Sequence, residues 1–128
     1  MTAGQLKVLI VDDNPSHLEI YSMLVKQAGI TPITALVQFK GVDFPKDEPV
    51  GLVLLDYRLN SLKTSAELAQ EIRQIYPLAP IVVLSDLWSL PTDIEPHVDA
   101  FVRKGEPRKL IETISRLTQG NGDSAYSI

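Results

Sequence analysis

The sequence predicts an α/β domain in which a parallel β-sheet is covered by helices on both faces. Four short apolar runs, LKVLIV, VGLVLL, IVVL and AFVR, have the near-continuous hydrophobicity of strands buried on both sides. Helical patterns alternate with these runs, as is typical of βαβ units. Each run is followed or ended by polar residues, which are Asp12 and Asp13, Asp56, Ser85 and Lys104. Because ligand sites of open α/β sheets lie at the carboxyl ends of strands, these residues are expected to share one crevice.

The composition fits one globular domain. The chain has 128 residues, 45% of them hydrophobic and 22% charged, which suits a single core. The net charge is −4 and no basic block is present, so direct binding of nucleic acid is not expected. There is no cysteine, and no apolar run approaches the roughly 18 residues that a membrane helix needs. We therefore expect a soluble cytoplasmic protein without disulfides and without a membrane partner.

Helix signals follow the first strand. Asn14 is a candidate N-cap, Pro15 suits the first helical position, and Gly29 is expected to end this helix. A second strand is predicted at 33–36. The segment 37–51 is rich in glycine and proline, which permit only a short helix and a loop.

Three further helices are predicted in the second half of the chain. The clearest covers 65–76, where apolar residues share one face. A brief and distorted helix is expected at 91–98, because Pro96 would remove a backbone hydrogen bond from its interior. The last helix is expected to begin near Pro107 and to stop by Gly120.

The acidic residues predict a site for a hard cation. Asp12, Asp13 and Asp56 would repel one another at neighbouring strand ends unless a cation or a proton is shared among them. Small sets of carboxylate oxygens suit Mg²⁺, which keeps several waters and is often completed by phosphate oxygens. We expect Asp13 and Asp56 to be metal ligands, and Asp12 to hold a metal-bound water.

The same strand ends predict phosphoryl transfer. A carboxylate can attack phosphorus to give an aspartyl phosphate, and Asp56 is the acidic residue that stands alone at a strand end. Phosphoryl transfer needs mostly positioning and charge neutralisation. The hydroxyl of Ser85 and the ammonium of Lys104 would supply a hydrogen-bond donor and a point charge.

The acidic pair, the lone Asp56, Ser85 and Lys104, taken in this order, resemble the receiver (CheY-like) domain of bacterial two-component response regulators. The resemblance implies a receiver domain at 1–118 and a C-terminal tail, or the start of a linker, at 119–128. It implies a flavodoxin-like (βα)5 fold with three layers and a five-stranded parallel sheet in the order 2-1-3-4-5. It also implies a signalling domain that is not an enzyme, beyond assisting its own phosphorylation and dephosphorylation.

The resemblance also assigns roles within the site. Asp56 would take the phosphoryl group from a histidine kinase or a phosphotransfer protein, with Mg²⁺ as cofactor. The backbone carbonyl of Arg58 would complete the protein ligands of the metal. The phosphoryl group would be bound by Ser85, by Lys104 and by the backbone N–H of Asp86.

The resemblance assigns the switch to Ser85 and Phe101, although Phe101 fits a plain core position equally well. Their movement would alter a face formed by the fourth helix, the fifth strand and the fifth helix. An output domain, a partner protein or a second copy of the chain in a homodimer would dock there. Such a switch requires two packings of similar energy that phosphorylation can bias.

Two residues depart from the usual pattern. Asp86 follows Ser85 where receivers commonly carry a small residue. At roughly 7 Å and an effective dielectric of roughly 40, its carboxylate would repel a phosphoryl group by on the order of 2 kcal/mol. Arg58 could either help to bind phosphate or obstruct the site. An alternative therefore stays open, in which the chain is an atypical receiver that binds partners independently of phosphorylation.

Two other function classes fit the sequence less well. Haloacid dehalogenases also form an aspartyl phosphate, but they normally carry a second Asp two residues after the nucleophile, where this chain has Arg58. Flavin binding by this fold is disfavoured because DDNPS follows the first strand, in place of a small, hydroxyl-rich phosphate loop.

Overall fold

A computed structural model describes the backbone of residues 6–126 and the side chains of residues 6–118. Its five-stranded sheet is parallel throughout and has the order β2-β1-β3-β4-β5, which confirms the predicted strand order and fold class. The strands are β1 (Lys7–Asp12), β2 (Thr31–Leu36), β3 (Leu52–Asp56), β4 (Ile81–Ser85) and β5 (Ala100–Arg103). The helices are α1 (Pro15–Gln27), α2 (Ser65–Ile75), a 3₁₀ helix (Glu95–His97) and α3 (Pro107–Tyr126).

The side chains of the central strands alternate between two cores, one on each face of the sheet. In β1, Val8 and Ile10 belong to the core that α1 and α3 cover. Leu9 and Val11 of the same strand belong to the core that α2 covers. All four are at most 1% exposed. Burial on both faces explains why the apolar runs are continuous. Because all five strands are parallel, their polar carboxyl ends lie at one edge of the sheet.

The N-terminal cap of α1 fixes the direction of the chain after β1. The side chain of Asn14 accepts hydrogen bonds from the backbone N–H groups of Ser16 and His17, at 2.8 and 3.4 Å. Pro15 is the first helical residue, as predicted, and Gly29 adopts a positive φ of 81° after the helix.

The helix predicted within 37–51 is absent from the described residues, so that prediction is wrong. The segment instead covers the sheet as an irregular loop. Val37 and Phe44 are buried in the same core as α2, at 3% and 8% exposure. The hydroxyl of Tyr76 donates a hydrogen bond to the backbone carbonyl of Pro45, which holds the loop to the end of α2. Prolines and glycines disfavour a helix here, and the buried side chains supply the packing that a helix would otherwise provide.

The element predicted at 91–98 is distorted, as expected. Only Glu95–His97 forms a helical turn, of the 3₁₀ type, and Pro96 lies at its start, where no backbone donor is lost. Ile94 is fully buried in the core beside α2 and anchors this segment.

The last helix continues beyond the predicted stop near Gly120 and reaches Tyr126. Glycine in a helix costs about 1 kcal/mol relative to alanine but does not forbid it, and no proline follows to end the helix. The rest of the predicted tail, residues 127–128, lies outside the described residues. None of the helices in the described part has the length and hydrophobicity that crossing a lipid bilayer requires.

Candidate functional site

The predicted site residues lie together at the carboxyl edge of the sheet. Asp12, Asp56 and Ser85 are the last residues of β1, β3 and β4, while Asp13 and Lys104 directly follow β1 and β5. One carboxylate oxygen each from Asp12, Asp13 and Asp56 can be chosen so that all three lie within 4.8 Å of one another. The fold therefore brings the three acidic residues into a cluster that a cation could occupy.

The two buried carboxylates of this cluster are unfavourable as free charges. Asp12 and Asp56 are only 1% and 2% exposed. Burial, together with the negative charge of Asp56, raises the pKa of Asp12 to about 6. Burial also raises the pKa of Asp56, against the opposing effect of Lys104. Oδ1 of Asp12 accepts a hydrogen bond from the N–H of Asn14 at 3.0 Å, but Oδ2 has no hydrogen bond among the described residues.

The third carboxylate joins the cluster to the loop after β3. Asp13 is half-buried, and its Oδ2 accepts a hydrogen bond from the backbone N–H of Asn60 at 2.9 Å. This bond draws the loop that follows Asp56 toward the end of β1. The helix cap itself is Asn14, so Asp13 is not needed for capping.

A lysine provides the positive charge of the site. Nζ of Lys104 lies 2.6 Å from Oδ1 of Asp56. Burial lowers the pKa of Lys104, but the hydrogen bond and the charge of Asp56 outweigh it, so the pKa is raised and the ammonium stays charged. The N–H of Lys104 donates to the carbonyl of Ser85 at 2.8 Å, and Gly105 turns the chain with a φ of 87°.

The hydroxyl of Ser85 is buried at the end of β4, beside β3. Ser85 is 1% exposed, and its Oγ accepts a hydrogen bond from the N–H of Leu87 at 3.1 Å. A serine hydroxyl is both a donor and an acceptor, so this contact leaves its proton available to a further acceptor. β4 pairs with β3, with Leu84 opposite Asp56.

The two residues that depart from the receiver pattern contact each other. Nε of Arg58 donates a hydrogen bond to Oδ1 of Asp86 at 3.0 Å, and the two side chains are 61% and 62% exposed. The guanidinium lowers the pKa of Asp86. From the sequence, Asp86 was expected to repel a phosphoryl group and Arg58 either to help bind phosphate or to obstruct the site, and no contact between them was predicted. Their opposite charges, on loops that follow adjacent strands, were the signal for a pair.

Two other side chains beside the site were not predicted to contribute. Nδ1 of His17 lies 3.4 Å from Oδ2 of Asp12, and the His17 ring meets Tyr21 edge-on with centroids 6.5 Å apart. The hydroxyl of Tyr57 donates to Oδ1 of Asp93 at 3.0 Å, which links the residue after Asp56 to the loop after β4. The position of His17 in the first turn of α1 could have indicated that it lies near the site. No feature of the sequence indicated the contact between Tyr57 and Asp93.

The aromatic residue of the predicted switch lies in β5. Phe101 is half-buried, packs against the core beneath α2, and pairs with Val83 of β4. Nearby, the guanidinium of Arg103 lies 3.7 Å from the centre of the exposed Trp88 ring. The packing of Phe101 fits a core residue and a switch residue alike, so its role in switching stays a prediction.

Comparison with known sequences gives partial matches. No protein-family model matches the chain. It is similar to an NtrX-like response regulator of Rickettsia felis, with 29% identity over 92 residues, and to the transcriptional regulatory protein ZraR of Salmonella typhimurium, with 28% over 95 residues. These matches cover 71% and 74% of this chain but 19% and 21% of the relatives, so the chain spans about a fifth of their length.

Comparison with solved structures gives the fold. A CheY-like response regulator receiver domain protein from Methanospirillum hungatei has a TM-score of 0.75, with 20% identity, and the match covers 94% of this chain and 98% of that one. At this identity the likeness shows the fold alone, and the sequence matches add a similarity to response regulators. The chain is therefore similar in sequence to two-component response regulators, and it has the fold of CheY-like receiver domains.

Proposed function

We propose that this domain takes a phosphoryl group onto Asp56, with Mg²⁺, from a histidine kinase or a phosphotransfer protein. The observation that carries the proposal is that the buried carboxylate of Asp56 lies close to one positive charge and to two negative ones. Lys104 lies 2.6 Å from one of its oxygens, and two further carboxylates lie within 4.8 Å. A structural ion pair would not need this excess of buried negative charge, whereas a site for a cation and a phosphoryl group does.

The acidic cluster fits Mg²⁺. Asp13 and Asp56 would hold the ion directly, the backbone carbonyl of Arg58 would be the third protein ligand, and Asp12 would hold one of its waters. All of these donors are oxygens, the kind that Mg²⁺ prefers. Oδ2 of Asp12, buried and without a hydrogen bond in the described structure, is free to bind such a water. When bound, the ion would offset the negative charge of the cluster and of the phosphoryl group.

The protein groups would then divide the transfer between them. An oxygen of Asp56 would attack phosphorus, and the bond from phosphorus to the donor nitrogen would break as the aspartyl phosphate forms. Lys104 would shift from the carboxylate to a phosphoryl oxygen. The hydroxyl proton of Ser85 and the backbone N–H of Asp86 would complete the hydrogen bonds to that group.

The signal would leave the site through the neighbouring strand. Ser85 would move toward the phosphoryl group, and Phe101 would follow by changing its packing. Because only a 3₁₀ turn lies between β4 and β5 in the described residues, the docking face would consist of this turn, β5 and α3. An output domain, a partner protein or a second copy of the chain would bind there.

Intact-mass spectrometry tests the proposal directly. The domain is incubated with Mg²⁺ and acetyl phosphate, and Asp56→Asn is treated in parallel. We expect a mass gain of one phosphoryl group in the wild type and none in Asp56→Asn. Asp43→Asn, which removes an exposed carboxylate outside the site, should gain the same mass as the wild type. No gain in the wild type would favour an interaction domain that works without phosphorylation.

A further inference from the structure

An exposed ion pair spans the two loops that leave the site. Arg58 follows Asp56 by two residues, and Asp86 directly follows Ser85. β3 and β4 are neighbours in the sheet, so the two loops leave its edge side by side. Nε of Arg58 donates to Oδ1 of Asp86 at 3.0 Å. Two opposite charges therefore lie paired beside an acceptor carboxylate that is only 2% exposed.

Each of these charges alone would change what an incoming phosphoryl donor encounters. For an assumed separation of roughly 7 Å and an effective dielectric of roughly 40, a free carboxylate would repel a dianionic phosphoryl group strongly enough to slow its reaction about 10-fold or more. A free guanidinium would attract the same group by a comparable factor. The pair as a whole presents little net charge, because the two contributions have opposite signs.

We propose that the side chain of Arg58 controls how fast anionic phosphodonors react at this site, because it cancels the negative charge that Asp86 places near Asp56. This inference rests on the proposed function of Asp56 as phosphoacceptor, and it names the pair that controls how readily anionic donors approach. The backbone carbonyl of Arg58 is unaffected by a change of its side chain. Exposed ion pairs contribute little to stability, so the role assigned here is electrostatic.

The charge model gives the two single variants opposite effects. Arg58→Gln would leave the carboxylate of Asp86 uncompensated and slow phosphorylation by acetyl phosphate about 10-fold. Asp86→Asn would leave the guanidinium uncompensated and speed phosphorylation several-fold. The double variant would return to within about 3-fold of the wild type, because both charges are gone.

The experiment compares the phosphorylation rates of these four proteins by intact mass at low ionic strength. Lys63→Gln is the matched control, since Lys63 forms a similar exposed pair with Glu71, at 2.8 Å, on α2. Its rate should equal that of the wild type. At about 1 M salt, where the screening length falls to about 3 Å, the differences among variants should shrink. A rate for Arg58→Gln equal to or above that of the wild type would overturn the inference.

Calorimetric titration with Mg²⁺ gives a second measurement that does not depend on phosphorylation. Mg²⁺ is attracted by the carboxylate of Asp86 and repelled by the guanidinium of Arg58. Arg58→Gln should therefore bind Mg²⁺ about 2- to 5-fold more tightly than the wild type, and Asp86→Asn should bind it more weakly. If no protein is phosphorylated but these affinity shifts occur, the proposed function fails while the charge role of the pair is supported. If Arg58→Gln loses both rate and Mg²⁺ affinity, or changes neither, the inference is wrong.

Discussion

Nζ of Lys104 lies 2.6 Å from Oδ1 of Asp56, so the ammonium that would neutralise a phosphoryl group already binds the carboxylate that would receive it. The contact reaches across the end of β4, because β4 lies between β3 and β5 in the sheet. The two side chains are 22% and 3% exposed, which shields the pair from water. Its loss should therefore affect stability as well as chemistry.

Replacing Lys104 by methionine should destabilise the domain. The change leaves Asp56 buried beside two other carboxylates without a compensating charge, and we expect the free energy of unfolding to fall by about 1–3 kcal/mol at pH 8. The pKa of Asp56, which burial already raises, would rise further. At pH 5 more of Asp56 is protonated in this variant, so the loss should be smaller. Urea denaturation followed by circular dichroism at the two pH values measures both effects.

Two further variants serve as controls for Lys104→Met. Lys63→Met removes an exposed lysine from an ion pair on α2 and should change the free energy of unfolding by less than about 1 kcal/mol. Lys104→Met combined with Asp56→Asn removes both partners, and it should recover most of the lost stability at pH 8. A loss that is the same at pH 5 and pH 8 would contradict the explanation by buried charge.

The acidic cluster should make stability depend on pH when divalent cations are absent. The pKa of Asp12 is about 6 in the folded protein and 3.8 in the ordinary case, so the folded state binds the proton more tightly. This favourable contribution is complete below pH 3.8 and is lost as the pH rises through 6. Asp12→Asn has no such dependence, so its stability relative to the wild type should increase by about 2–3 kcal/mol between pH 4 and pH 8. Denaturation curves of both proteins in EDTA provide the measurement; a constant difference would contradict the prediction.

Magnesium should stabilise the domain through Asp13. A ligand that binds the folded state alone stabilises it by about 2.7 kcal/mol at 100 times its dissociation constant. We therefore expect the melting temperature of the wild type to rise with Mg²⁺ concentration, and the rise to be largely lost in Asp13→Asn. Asp47→Asn removes an exposed carboxylate from the loop between β2 and β3 and should respond like the wild type. An equal response in Asp13→Asn would show that the ion binds elsewhere.

Residues at strand ends were the part of the site that the sequence could predict. A parallel strand buried on both faces is a continuous apolar run, so the residue after it is recognisable, and the topology brings all such residues to one edge. The position of Asp56 near Lys104 followed from this rule alone. The pair of Arg58 and Asp86 lies outside this rule: opposite charges on loops after adjacent strands make a pair possible, but the partners are 28 residues apart and irregular loops do not fix where their side chains point.

The segment between β2 and β3 was the part of the fold that the sequence could not predict. Regular apolar spacing is the signal for a helix, and 37–51 has too little of it to support the short helix predicted there. Val37 and Phe44 are nevertheless buried in the core. Which apolar residues of an irregular loop turn inward depends on the surface beneath them. Phe39 lies in the same loop and is 53% exposed.

Truncating Phe44 should reveal how much this loop contributes to the core. Phe44 is 8% exposed and packs with the residues under α2, so Phe44→Ala removes buried apolar surface and leaves a cavity. We expect a loss of about 3 kcal/mol in the free energy of unfolding, at the lower end for a buried phenylalanine because a loop can partly collapse into the space. Phe39→Ala, in the same loop, should cost less than about 1 kcal/mol. Urea denaturation measures both variants, and a lower midpoint with an unchanged dependence of the unfolding free energy on urea concentration would assign the loss to the folded core. Similar losses for the two variants would mean that the loop does not pack as described.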